Sequence, residues 1–173
     1  WAYDVLGWGG YWGWDPVENA AFLPWLIGTA FLHSVMIQEK RGMLKVWNMF
    51  LVIGTFSAVM FATFATRSGL IESVHSFARS DIGLPMFLFW GGLTLVSVWL
   101  ILWRWNRGEL RDEHKFKGWL SRESLFVLNN VVFVALTIVI FWGSFGAPIL
   151  SELLYDTEIS LGVEYFETVT PPL

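Results

Sequence analysis

Four apolar runs, 20–38, 44–66, 84–105 and 125–150, limit what this chain can fold into. Each holds roughly the 20 residues that cross a ~30 Å hydrocarbon core at a helical rise of ~1.5 Å per residue. With 55% hydrophobic and 18% aromatic residues against 15% charged, the 173 residues are too apolar for an ordinary soluble domain. The expected fold is therefore an all-α membrane protein lodged in a lipid bilayer, with four transmembrane helices plus a short external interfacial helix. One membrane region covers 1–173, without internal repeat or soluble domain boundary.

Charge sets the expected orientation. The net charge of −4 matters less than its spread. Lys40, Arg41 and Lys45 follow the first run, and Arg104, Arg107, Arg111, Lys115, Lys117 and Arg122 lie around the third loop, so nine of the eleven basic residues share one side. By the positive-inside rule that side is cytoplasmic. The loop 106–124 is then cytoplasmic, while the segment 1–19, the loop 67–83 and the acidic tail 151–173 are external. His114, in the cytoplasmic loop, is expected to be exposed without a special role. In the external loop, Leu70, Val74 and Phe77 form one helical stripe and Glu72, His75 and Arg79 the opposite one, which predicts an interfacial helix over 70–81 after a Gly69 cap. The chain opens on Trp1 without a basic segment and cleavage site, and is expected to be an internal piece of a longer one. It has no cysteine, so any thiol chemistry must come from a partner. No nucleic-acid partner is expected.

Chemistry concentrates in Trp8 to Asn19, WGGYWGWDPVEN. Trp8, Trp12 and Trp14 alternate with Gly9, Gly10 and Gly13, and such glycines let a flat ligand approach the backbone while indole rings stack on it. An interfacial aromatic belt explains the tryptophans but not their clustering with glycine. Asp15, Pro16 and Glu18 read as an N-cap, first helical residue and capping-box partner, a structural role compatible with a functional one. Asn19 closes the segment. His33 follows fourteen residues later, about 21 Å further along the helix at ~1.5 Å per residue. A lone core histidine is ordinary in a soluble helix. At membrane depth an ionisable side chain is costly, which favours a ligand role for His33. His75 lies on the outer side, so one iron could not take both histidines, and neither has a partner histidine within the chain. Asn129, Asn130, Ser57, Thr63 and Thr66 are expected to form interhelical hydrogen bonds.

These residues resemble the WWD-domain haem-handling proteins, and among them the haem lyase component of cytochrome c maturation. The resemblance runs through WAYDVLGWGGYWGWDPVENAAFLPWL, EKRG after His33, TRSGLIESVHSFA, SRESLFVLNN and GVEYFETVTPPL, essentially the whole chain. Tyr11 and Gly13 depart from it, standing where aromatics are frequent. The resemblance implies that Trp8, Trp12, Trp14 and Asp15 belong to an external haem-binding surface, with Gly9, Gly10, Glu18 and Asn19 of the same segment as further cofactor-binding candidates, and with His75 as one ligand to the delivered haem and the other preceding Trp1. It implies that His33 is one ligand of a b-type haem in the membrane, its partner following Leu173. It assigns no catalytic residue. The activity it implies is haem reduction and covalent attachment to apocytochrome c, as part of a complex. Implied partners are a haem chaperone, apocytochrome c with its thiol-handling proteins, and quinol as electron donor. The implied location is the bacterial or archaeal cytoplasmic membrane.

Two rival readings use the same residues: a transporter or channel subunit with an aromatic-lined pathway, and a passive scaffold whose tryptophans form only a belt. A transporter usually shows repeats or broken spans around a midplane site, and none is visible here.

Overall fold

The computed structural model describes residues 5, 11–68, 82–114, 122–155, 159 and 161–171, and every regular element among them is helical. Helix α1 spans Pro16–Arg41, α2 Lys45–Ser68, α3 Gly83–Asn106 and α4 Arg122–Phe141. A π-helical turn, Trp142–Gly146, carries α4 directly into α5, Ala147–Tyr155, and a short α6 covers Val163–Val169. Four helical stretches are long and apolar enough to cross a membrane: α1, α2, α3 and the continuous Ser124–Tyr155. The molecule is an all-α membrane protein. The interfacial helix expected over 70–81, with its Gly69 cap, lies outside the described residues.

The start of α1 follows from its sequence. The Asp15 carboxylate accepts from the Val17 amide at 2.8 Å, Pro16 occupies the first turn, and Glu18 reaches back to the Asp15 and Gly13 amides at 3.3 and 2.9 Å. This capping box satisfies amides that have no partner within the helix. At the other end Gly42 turns left-handed at φ 61°, its amide donating to the Gln38 carbonyl at 2.8 Å. Lys40 and Arg41 sit in the last turn, where a positive charge favours the helix dipole.

Helix α1 is the hub, packed against α2, α4 and the π turn, while α3 packs on α2. Ala20, Leu23 and Leu26 of α1 meet Ala58, Phe61, Phe64 and Ala65 of α2, Ile140 of α4, Phe145 of the π turn and Phe166 of α6 in one core. Alanines let the backbones approach closely, which matters where lipid tails are as apolar as the core. The Trp90 indole of α3 donates to Ser57 Oγ at 2.8 Å, and Ser57 Oγ lies 3.1 Å from Thr94 Oγ1. Ser57 thus makes the expected interhelical bonds, but Thr63 and Thr66 make none among the described residues. Their hydroxyls donate to the Val59 and Ala62 carbonyls of their own helix, one turn back, as threonine hydroxyls in helices readily do. Asn130 is fully buried, and neither end of its carboxamide has a partner among the described residues.

The two basic loops meet at one end of the bundle. Lys45 Nζ pairs with Glu113 at 2.8 Å, the Lys45 amide donates to Asp112 at 3.1 Å, and the Glu113 amide donates to the Gly42 carbonyl at 3.0 Å. His114, expected to be without a role, donates from Nδ1 to the Arg41 carbonyl at 2.8 Å. It is exposed yet satisfies a terminal carbonyl of α1, because folding brings residues 41 and 114 together. The hydrogen bond from Lys45, then its charge, holds the Glu113 carboxyl below its ordinary value.

Candidate functional site

Among the described residues the tryptophan segment is a corner with two differently used rings. Trp14 adopts a left-handed backbone at φ 56°, uncommon for a bulky residue. Its indole lies flat against Phe166 of α6, centroids 5.1 Å apart and planes within 8°. Trp12 stands edge-on to Trp14 at 5.8 Å and to Phe22 at 5.5 Å, and stays 42% exposed. Trp14 is thus half-buried against the bundle, while Trp12 presents aromatic surface to the outside. A side chain added at Gly13 would meet open space. Asp15 and Glu18 are engaged in the cap. Asn19 is fully buried behind the wall, donating to the Trp14 carbonyl at 2.9 Å and to Ser144 Oγ at 2.8 Å. Trp8, Gly9, Gly10 and His75 lie outside the described residues.

His33 faces α4. Its Nδ1 is 2.8 Å from the Thr29 carbonyl one turn earlier. A carbonyl only accepts, so Nδ1 carries the proton and Nε2 of the neutral ring keeps its lone pair. The ring is half-buried, stacked on Phe133 at 5.9 Å and tilted over Phe126 at 6.5 Å. Among the described residues no three His, Cys, Asp or Glu side chains cluster as a metal site would require. A single imidazole in that setting suits a metal that brings most of its own ligands, as haem iron does with its macrocycle. One imidazole with its second ring nitrogen left over is the kind of donor that haem iron takes axially.

The two regions share an aromatic column. From Trp12 it passes to Phe22, to Trp25 at 5.4 Å, to Phe133 at 6.4 Å and then to His33. Phe133, Phe166 and Ser144 escaped sequence reasoning. Each lies a hundred residues or more from its partner, and nothing local in the apolar run around Phe133 and Ser144, or in the acidic tail around Phe166, marks the contact. A separate cavity of about 240 Å³ between α1, α2, α3 and α4, lined by Leu23, Gly54, Ser57, Trp90, Thr94 and Thr137 among others, includes neither Trp12 nor His33.

Residues 1–72 match the family model of the cytochrome C assembly protein. The cytochrome c-type biogenesis protein CcmF of Pseudomonas aeruginosa is 43% identical over 173 residues, covering all of this chain and 26% of that protein. The protein of the same name from Escherichia coli is 41% identical over 169 residues, covering 98% of this chain and 26% of its own length. A solved structure named cytochrome c heme lyase CcmF superposes with a TM-score of 0.65 at 35% identity, over 99% of this chain and 23% of that one. The chain thus spans about a quarter of the length of the curated relatives it matches. Over its whole length the chain is similar to a segment of the CcmF proteins, and its residues 1–72 match the cytochrome C assembly protein family.

Proposed function

We propose that this segment handles haem during cytochrome c maturation, presenting delivered haem on an external tryptophan wall and holding one side of a b-type haem within the membrane. The observation that carries the reading is His33: an imidazole at membrane depth whose Nδ1 is committed to the Thr29 carbonyl and whose Nε2 keeps its lone pair. Metal-bound histidines typically donate their other ring N–H in this way, which fixes both tautomer and ring direction. Haem held there would supply a one-electron couple, with quinol as the electron donor, for keeping the delivered haem ferrous. Thr29 orients the His33 ring, Phe133 packs its face, and Trp12 offers its exposed indole to the delivered haem, with Trp8, Gly9 and Gly10 extending the wall and His75 as an external ligand. The thiols come from apocytochrome c, in keeping with a cysteine-free segment. The delivered haem comes from a haem chaperone, and the parent protein acts as a haem lyase within a complex. The wall faces outward and the two basic loops face the cytoplasm.

A spectrum of the full-length parent, purified in detergent from the cytoplasmic membrane, tests this. It should be b-type, and His33→Leu should abolish it; an unchanged spectrum would remove the inner haem from the reading. Replacing His75 by alanine should leave that spectrum intact and stop cytochrome c maturation, so normal maturation would dismiss His75 as a ligand.

A further inference from the structure

The geometry points to Asn19, acting with Ser144 of the π turn, as the positioning residue that sets the tryptophan wall. This rests on the outer-haem reading above but gives Asn19 a different task from contact with haem. Its carboxamide is fully buried, and both of its N–H groups are spent, one on the Trp14 carbonyl at 2.9 Å and one on Ser144 Oγ at 2.8 Å. Its oxygen finds no partner among the described residues, so the side chain works through its donors. The carbonyl it holds belongs to the residue with the left-handed φ of 56°. Such a backbone is costly for tryptophan and persists only where the surroundings impose it.

The surroundings do so from two further directions. Phe166 lies flat on the Trp14 indole, and the π turn brings up Ser144. An ordinary α-helix steps each side chain about 100° around its axis, so three successive residues rarely face one neighbour. The wider π turn buries Gly143, Ser144 and Phe145 in succession, and such one-turn bulges recur at functional sites. Gly143 lets α6 close over the turn, since a Cβ there would run into the Tyr165 and Phe166 rings. The corner is thus assembled from α1, the π turn and α6, and Asn19 is the side chain that hydrogen-bonds both the tryptophan segment and the turn. Its effect on Trp12 is indirect: fixing Trp14 fixes the edge against which Trp12 rests.

The test uses the full-length parent, the resident haem serving as a control for folding. Haemin is titrated onto the outer site by difference absorption in the parent, Asn19→Leu, Ser144→Ala and the double variant. Asn19→Leu should weaken haemin binding about tenfold and Ser144→Ala about threefold, the scale of one or two hydrogen bonds. The double variant should bind no worse than Asn19→Leu, because Ser144 acts through Asn19. A second readout needs no haem: 5-fluorotryptophan at position 14 should show a shifted or broadened ¹⁹F resonance in Asn19→Leu. Parent-like affinity with an unmoved resonance overturns the assignment, as do additive losses in the double variant or loss of the resident spectrum in Asn19→Leu, which would make Asn19 a folding residue. If the parent itself takes up no haemin, the outer-haem reading fails, and the resonance alone then decides whether Asn19 positions Trp14.

Discussion

At His33 two neighbours do different work. The Thr29 carbonyl fixes which nitrogen carries the proton, and that contact is out of reach of side-chain substitution because the acceptor is backbone. Phe133 fixes the plane of the ring by stacking, a contact worth about 1 kcal/mol beyond the area it covers. Phe133→Leu keeps most of the apolar volume and removes the flat partner. We expect the full-length variant to fold, to keep a b-type spectrum, and to lose its haem several-fold faster when transferred to excess apomyoglobin. An unchanged transfer rate would show that stacking does not hold the imidazole. His33 stood out in the sequence as a candidate, because an ionisable residue in an apolar run is unusual. Phe133 did not, since one phenylalanine in a run containing others carries no mark of the ring it will face. The same holds for Trp14: the glycines pointed to close approach of a flat ligand, and nothing local marked the left-handed backbone of the tryptophan after Gly13.

The start of α1 was fully readable, because a capping box is a contact between residues three apart and is written in Asp15, Pro16 and Glu18. The π turn was not, since Trp142–Gly146 reads as an uninterrupted continuation of an apolar helix. The clamp of Asp112, Glu113 and His114 on residues 41–45 was invisible for another reason: it joins loops separated by the whole of α2 and α3. Its pH dependence follows from Glu113, whose folded-state carboxyl lies below its ordinary value of 4.5 because Lys45 donates to it and attracts its charge. A depressed carboxylate contributes stability that is fully present above 4.5 and is lost as pH falls through the lower folded value. Hydrogen exchange at the Lys45 amide should therefore quicken below 4.5 beyond its intrinsic pH trend, and Glu113→Gln should flatten that dependence. A Glu113→Gln variant with the parent's profile would show that Asp112 alone holds the amide. Gly143→Ala probes the other end: overpacking against Tyr165 and Phe166 should cost about 1–3 kcal/mol and expose α6 to proteolysis. Unaltered cleavage would mean that α6 is held elsewhere.

Across the whole molecule the bundle has two unlike ends, and the aromatic column runs from one of them as far as His33. The clamp joins Arg41, Gly42 and Lys45 to Asp112, Glu113 and His114, while Trp12, Trp14, Ser144 and Phe166 meet at the opposite end of α1. Four apolar runs determined the helices, and their packing around α1 came from contacts that no local pattern announces. The charge asymmetry, nine of eleven basic residues on one side, is the ground for the proposed direction of insertion. The proposed function depends on that direction, because a tryptophan wall could receive haem for an exported cytochrome only if it faced outward. The segment holds no cysteine, so a cysteine introduced here reports one place cleanly wherever the rest of the parent is also free of reactive thiols. Tyr11 is 87% exposed beside the wall, and Arg111 is exposed beside the clamp. In intact cells a membrane-impermeant maleimide should label Tyr11→Cys and leave Arg111→Cys unlabelled until the membrane is permeabilised. The reverse pattern would put the wall in the cytoplasm and the proposed haem delivery on the wrong side, whereas labelling of both before permeabilisation would mean that the apolar helices do not seal the two ends from each other.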